Sequence, residues 1–148
     1  MIHSELTTLI SRPAAEVFAY VSDFTTLPEY DAYVETARQT SEGPVGLGTT
    51  WTHTRTQGRR HIEAPIEMIE FEPNRRFKMK SGSGPFDVRS TMTFEAQGAS
   101  ETRVVEVLEM RLSGPLRLLE PIIRRQVGKQ RAEVHARLKE VIEKKAAL

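Results

Sequence analysis

The sequence predicts an α+β domain in which a curved antiparallel sheet wraps a long C-terminal helix. Turn signals recur at hairpin intervals: Gly43-Pro44-Val45-Gly46, Gln57-Gly58-Arg59-Arg60, Pro73-Asn74, Gly82-Ser83-Gly84-Pro85 and Gly98-Ala99-Ser100. After the last of them the period changes. Ile123, Val127, Val134, Leu138, Val141 and Ile142 fall on roughly 100° of arc at helical spacing, the mark of an amphipathic helix packing one stripe on the sheet. The 148 residues fit one domain, 1–148, large enough to bury a core without disulfides or metal.

Each element follows from local chemistry. Ile2 to Ile10 alternates apolar and polar residues, as a strand does. Ser11 is a plausible N-cap and Pro13 suits a first helical turn, so Ala14 to Val21 is expected to be a short helix. Asp23 is placed to cap a second short segment through Phe24, Leu27 and Tyr30, which Pro28 keeps short or irregular. At the C-terminal end Pro115 suits a helix start or a preliminary turn. Pro121 lacks the amide that a helix interior needs, so the long helix restarts there or kinks just before it.

The strand faces can be read against one another. A hairpin closed at Gly58-Arg59 sets Trp51 opposite Ile66, His53 opposite Ala64 and Arg55 opposite Ile62. The other face of that hairpin is a row of threonines against Glu67, Pro65, Glu63 and His61, so the mixed face should point inward. Carrying the alternation onward adds Met68, Phe77 and Met79, then Phe86, Val88, Ser90, Met92 and Phe94, then Val104, Leu108, Met110 and Leu112. Two consecutive apolar residues at Met68-Ile69 suggest a β-bulge, beyond which side chains swap faces.

Composition excludes several classes. The absence of cysteine removes disulfides, thiolate catalysis and Cys-based zinc sites. His3, His53, His61 and His135 have no spacing that gathers three ligands, and His53 and His61 face opposite ways in the hairpin, so no metal is expected. Gly43 to Gly48 precedes a strand rather than a helix and reads as a hairpin turn, not a phosphate loop, and no cofactor is expected. Met1 to Ile10 lacks the unbroken apolar core of a secretory signal, and no apolar run approaches the ~20 residues of a spanning helix. The expected location is the cytoplasm, without integral membrane association.

Net charge is +1, unevenly divided: from Pro115 onward nine Lys or Arg stand against four Asp or Glu. Those cations surround an apolar stripe without interleaved aromatics, which favours a solvated helix face over nucleic-acid binding. No nucleic-acid partner is expected, and the chain is read as a monomer or a weak homodimer.

Polar residues on the inward face stand out. His53 and Arg55 share a strand with Trp51, Glu106 interrupts the apolar series of Val104 and Leu108, and Arg131 sits in the helix stripe between Val127 and Val134. A charge placed inward is unfavourable unless paired or hydrated. One expectation is a polar anchor in which Glu106, Arg131, His53 or Arg55 orients a ligand carbonyl, hydroxyl or carboxylate; the preferred one is that the arginines snorkel to the rim and Glu106 pairs structurally with one of them. Ser90, Glu106 and His53 can be drawn as a triad, but nothing in the sequence brings their atoms together.

The run Ile10-Ser11-Arg12-Pro13-Ala14-Ala15-Glu16-Val17-Phe18, with Asp23-Phe24, Leu27-Pro28-Glu29-Tyr30, Gly43 to Thr49, Glu72-Pro73-Asn74-Arg75-Arg76-Phe77 and Glu101-Thr102-Arg103-Val104, resembles the polyketide cyclase/dehydrase family of the START-like (SRPBCC, Bet v1-like) superfamily. The resemblance spans nearly the whole chain. It implies a helix-grip fold of about seven strands with two short helices after the first, and a cavity between sheet and terminal helix. The residues read as inward fit such a lining: Trp51, Ile66, Met68, Phe77, Met79, Phe86, Val88, Met92, Phe94, Leu108 and Met110 on the sheet, Val127 and Val134 on the helix, with His53, Arg55, Glu106 and Arg131 as polar points. Ordinary core is the competing account of any single apolar residue among them. Three functions stay open: binding or transport of a hydrophobic lipid, quinone or polyketide-like molecule; a cofactor-independent cyclase, aromatase or dehydratase in which His53 or Glu106 moves protons; and a co-chaperone-like interaction module. Binding without catalysis is preferred, because no catalytic set is recognisable.

Overall fold

A computed structural model describes residues 1–146. Strand β1 (Ile2–Ile10) is followed by α1 (Ala14–Ser22), a single 3-10 turn (Phe24–Thr26) and α2 (Leu27–Tyr30). Six further strands follow: β2 (Val34–Gln39), β3 (Thr50–Gln57), β4 (Arg60–Glu72), β5 (Arg76–Ser81), β6 (Phe86–Ala96) and β7 (Thr102–Leu112). A 3-10 segment (Gly114–Leu119) then leads into α3 (Glu120–Ala146). All seven strands form one antiparallel sheet in the order β1-β7-β6-β5-β4-β3-β2. Only β1 joins out of sequence: it pairs with β7 and so brings the N-terminal strand under α3.

The hairpin register is the one the alternation requires, with Trp51 opposite Ile66, His53 opposite Ala64 and Arg55 opposite Ile62. The bulge falls where Met68-Ile69 predicted it. Met68 pairs with Met79, the register then shifts before Glu70, and Phe71 pairs with Phe77. One extra residue thus turns both Met68 and Phe71 toward the interior.

Caps differ in detail from expectation. Asp23 accepts a hydrogen bond from the Thr25 amide at 3.1 Å and starts the 3-10 turn as predicted. Ser11 does not cap α1: Pro13 occupies the cap position without a side-chain bond, and the Ser11 amide instead donates to Glu143 of α3 at 2.9 Å. The Glu16 amide, at the position a capping side chain would serve, donates to the Pro13 carbonyl at 3.1 Å. Pro121 marks a restart, not a kink, because α3 begins at Glu120 after the 3-10 segment. Within its stripe Val127, Val134, Leu138 and Ile142 are buried, while Ile123 and Val141 are half-buried.

A cluster of aromatic rings lies under α1. Phe18 sits edge-on to Phe71, Phe77 and Phe94 at centroid separations of 5.4, 6.0 and 5.1 Å, and Phe24 meets Trp51 at 4.8 Å and Phe77 at 5.5 Å. Edge-to-face geometry sets the positive rim of one ring against the negative face of the next. Val134, Leu138 and Ile142 of α3 belong to the same cluster. At the far end of the groove the β5–β6 turn abuts the start of the 3-10 segment, where the Ser113 amide donates to the Pro85 carbonyl at 3.0 Å.

Candidate functional site

The pairing register orders the inner face into rows across the sheet. One row runs Phe71, Phe77, Met92, Glu106 and Leu6; the next runs Met68, Met79, Ser90, Leu108 and Ser4; the next runs Trp51, Ile66, Ser81, Val88, Met110 and Ile2. Exposure changes along that sequence. Phe77, Met68, Ile66, Trp51, Met92, Phe94 and Leu108 are buried, whereas Met79, Phe86, Val88 and Met110 are only half-buried on the same face. The exposure is local to β5, β6 and β7 beside the β5–β6 turn, since Trp51, Ile66, Ile2 and Leu112 in the same rows are buried.

A polar network crosses the inner face, from Glu106 in the row of Phe77 and Met92 to Arg55 on β3. Arg131 of α3 grips Glu106 with two hydrogen bonds, Nε to Oε1 at 2.8 Å and a guanidinium nitrogen to Oε2. Ser90 Oγ lies 3.5 Å from Oε2. His135 Nε2 stands 3.4 Å from Oε1 without hydrogen-bond alignment, while its Nδ1 is 2.7 Å from Thr8 Oγ1 of β1. On the other side Asp31, at the end of α2, places Oδ2 3.8 Å from Arg131 and 3.4 Å from Arg55 of β3. Asp31 is fixed in turn by the Tyr33 amide, which donates to it at 3.0 Å. Alternating charges thus link β3, α2, α3 and β7, and the Thr8–His135 hydrogen bond adds β1. Burial pushes the Glu106 carboxyl up, but the Arg131 charge, the contact with His135 and the Arg131 hydrogen bonds outweigh it and hold the pKa down at about 2.

The four polar residues singled out in the sequence separate here. Glu106 and Arg131 form one pair and Arg55 joins them only through Asp31, so the structural pairing is the arrangement present. His53 is buried, and its Nδ1 has no partner among the described residues; the indole nitrogen of Trp51 is likewise without one. Burial first, and then the Arg55 charge, push the His53 imidazole down to about 4, only partly opposed by Asp31, so it is neutral at pH 7. Val127 and Val134 are buried on either side of Arg131 along the helix. Asp31, His135 and Thr8 were not recognised from the sequence. His135 had a signal, since it lies four residues after Arg131 on the same helix face. Asp31 had none, because its position depends on how α2 ends.

Two clefts mark the surface. One of about 340 Å³ opens beside the β5–β6 turn, lined by the outer-face residues Thr50, Pro65, Glu67, Lys80 and Asp87 and reaching Ile66, Ser81 and Phe86, but not Met79, Val88 or Met110. The other, about 320 Å³, lies between α2 and α3 and is bounded by Tyr30, Tyr33, Glu133 and Arg137. Neither is lined by Glu106, Arg131 or His53. Among the described residues no group of three or more His, Cys, Asp or Glu is placed to hold a metal ion. No helix among the described residues is long and apolar enough to cross a membrane.

His53 carries a pH prediction. Its folded pKa lies below the unfolded value of 6.5, so the unfolded chain takes up a proton first as pH falls. The stability this group contributes is full above pH 6.5 and lost progressively toward pH 4, by roughly 2 to 3 kcal/mol. Urea unfolding at both ends of that window should show a smaller acid loss in His53→Leu than in the parent. Parallel losses would mean that His53 is not held neutral.

A seven-stranded antiparallel sheet closed around a C-terminal helix, with short helices after β1, is the helix-grip architecture of START- and Bet v1-like proteins. The chain belongs to the family described as polyketide cyclase/dehydrase and lipid transport, whose model matches residues 1–143. Solved structures share the fold. A START superfamily protein from Mycobacterium smegmatis superimposes with a TM-score of 0.83 at 12% identity over 97% of this chain and 99% of that one. A protein from Thermus thermophilus gives 0.79 at 21% identity over 95% and 96%. The Zhui aromatase/cyclase from Streptomyces sp. R1128 gives 0.67 at 14% identity over 94% of each chain. Compared by sequence with curated proteins, the chain has no significant match.

Proposed function

We propose that the protein holds an apolar small molecule of lipid, quinone or polyketide-like character between the sheet and α3. The observation that carries this is the partial exposure of Met79, Phe86, Val88 and Met110 on the concave face, the one face a sheet of this kind normally seals. Around them Met79 and Met110 are adaptable side chains that repack about ligands of different shape. Ser90, beside Met79 and Leu108 in the pairing rows, makes only a long 3.5 Å contact with Glu106, so its hydroxyl is the polar group a ligand oxygen would meet.

The test is a titration with an apolar quinone or a polarity-sensitive fluorophore, read by quenching of Trp51, the only tryptophan. Binding at about one site per chain is expected. Val88→Phe should weaken binding by about tenfold or more while changing stability by less than ~1 kcal/mol, since open space accepts volume that a packed core does not. A loss of ~1 to 3 kcal/mol in Val88→Phe, with no binding by the parent, would make this end ordinary core.

A cofactor-independent cyclase or dehydratase is the second reading, favoured by one observation: His53 is a buried neutral imidazole with an unpartnered Nδ1, able to take a proton. Glu106 is poorly suited to that task because Arg131 holds it ionised. Turnover of a polyketide-like substrate that is lost in His53→Gln, with binding retained, would favour catalysis over carriage.

A further inference from the structure

The segment from Gly114 into the first turns of α3 presents apolar side chains to solvent. Leu118 is 86% exposed, Ile122 59% and Leu119 45%, three large residues within five positions. Scattered exposed leucines are ordinary, but a contiguous group of this kind marks a contact surface. Met1, 59% exposed, stands beside them, because its amino nitrogen is 2.7 Å from Glu120. The cations are ordered around this group. Arg117, Arg124, Arg125 and Lys129 are all exposed, and the one carboxylate in the segment, Glu120, is engaged by Arg124 at 3.6 Å. Helical spacing puts Arg125 and Lys129 on the same face as Ile122, one and two turns further along. Apolar residues at the leading end and cations behind them match a bilayer surface, whose acyl region receives the former and whose phosphates meet the latter.

We propose that this lip, residues 114–129, docks on an anionic lipid surface. An apolar protein groove would accept the leucines but gives no reason for four exposed cations against one engaged carboxylate. The inference does not rest on the ligand reading above, although the β5–β6 turn joins this lip to the open end of the groove.

Co-sedimentation with vesicles tests it. The parent should bind vesicles containing phosphatidylglycerol about tenfold or more tightly than vesicles of phosphatidylcholine alone, and lose that binding in high salt. Leu118→Ser/Ile122→Ser and, separately, Arg124→Glu/Arg125→Glu should each weaken binding to the anionic vesicles by about tenfold or more. All four positions are solvent-exposed, so the melting of these variants should follow the parent's. Should either pair unfold, Leu118→Trp gives a reading on folded protein, its emission shifting to the blue when vesicles are added. Binding to neither vesicle, equal binding to both, or no effect of either pair would overturn the proposal. So would a parent dimer in sedimentation velocity that Leu118→Ser/Ile122→Ser disperses and that ignores vesicles, since the patch would then face a second copy of the chain.

Discussion

The Arg131→Met substitution is expected to destabilise the protein by about 3 to 5 kcal/mol, the usual effect of removing one partner of a buried ion pair. The Glu106 carboxylate left behind is 2% exposed and retains only Ser90 Oγ at 3.5 Å and the poorly aligned His135. Glu106→Gln should be milder. Arg131 is 18% exposed and keeps Asp31 at 3.8 Å, so its charge is never wholly orphaned. The double variant Glu106→Leu/Arg131→Met should recover most of the loss, because two apolar side chains of similar volume need no counter-charge. The sign of the pH dependence separates these cases. In the parent the Glu106 pKa of about 2 lies below its unfolded value of 4.5, so the stability it contributes is full above pH 4.5 and lost as pH falls toward 2. Without Arg131, burial is opposed only by the contact with His135 and pushes that pKa up, so the deficit of Arg131→Met should shrink on acidification. Urea unfolding of parent and variant at neutral pH and at pH about 5 measures the change in that deficit; a deficit that grows with acid would contradict this account of the network.

Phe77→Ala is expected to cost about 3 to 5 kcal/mol. The ring is fully buried, with Phe24, Phe94 and Phe18 at centroid distances of 5.5, 5.7 and 6.0 Å, so three neighbours face the void and none can close it without moving an element. Phe86→Ala, on the same face but half-buried, should cost less than half as much. The contrast is informative about function. Chemical denaturation that gave both variants small and similar effects would mean that the space extends under α1, and would move the binding region from the β5–β6 end to the aromatic end.

The sheet was legible because its rules are local. Period-2 alternation and the position of one glycine turn specify which residues of β3 and β4 oppose each other, and a single misplaced residue at Met68-Ile69 is visible as a break in that alternation. The stripe of α3 was legible for the same reason at period 3.6. Glu106 and Arg131 were recognisable as charges out of place, each on an otherwise apolar face. Their partnership was not, since 25 residues separate them, and Glu106 could equally have reached Arg55, and Arg131 Asp31 or solvent. Thr8 joins the network from 127 residues away in sequence.

The residues themselves therefore determined the faces: which side chains point inward, where the bulge falls, and that charge lies among them. Only the tertiary structure decided how those faces close. The aromatic rings of Phe18 and Phe24, carried on short helices that the sequence places but does not aim, seal one end of the groove, while the approach of α3 leaves Phe86, Val88 and Met110 half-covered at the other. The physical reason is that alternation and helical period are set by backbone geometry residue by residue, whereas the filling of the space between two faces depends on the angle at which separate elements meet, and that angle is a property of all the side chains at the contact together.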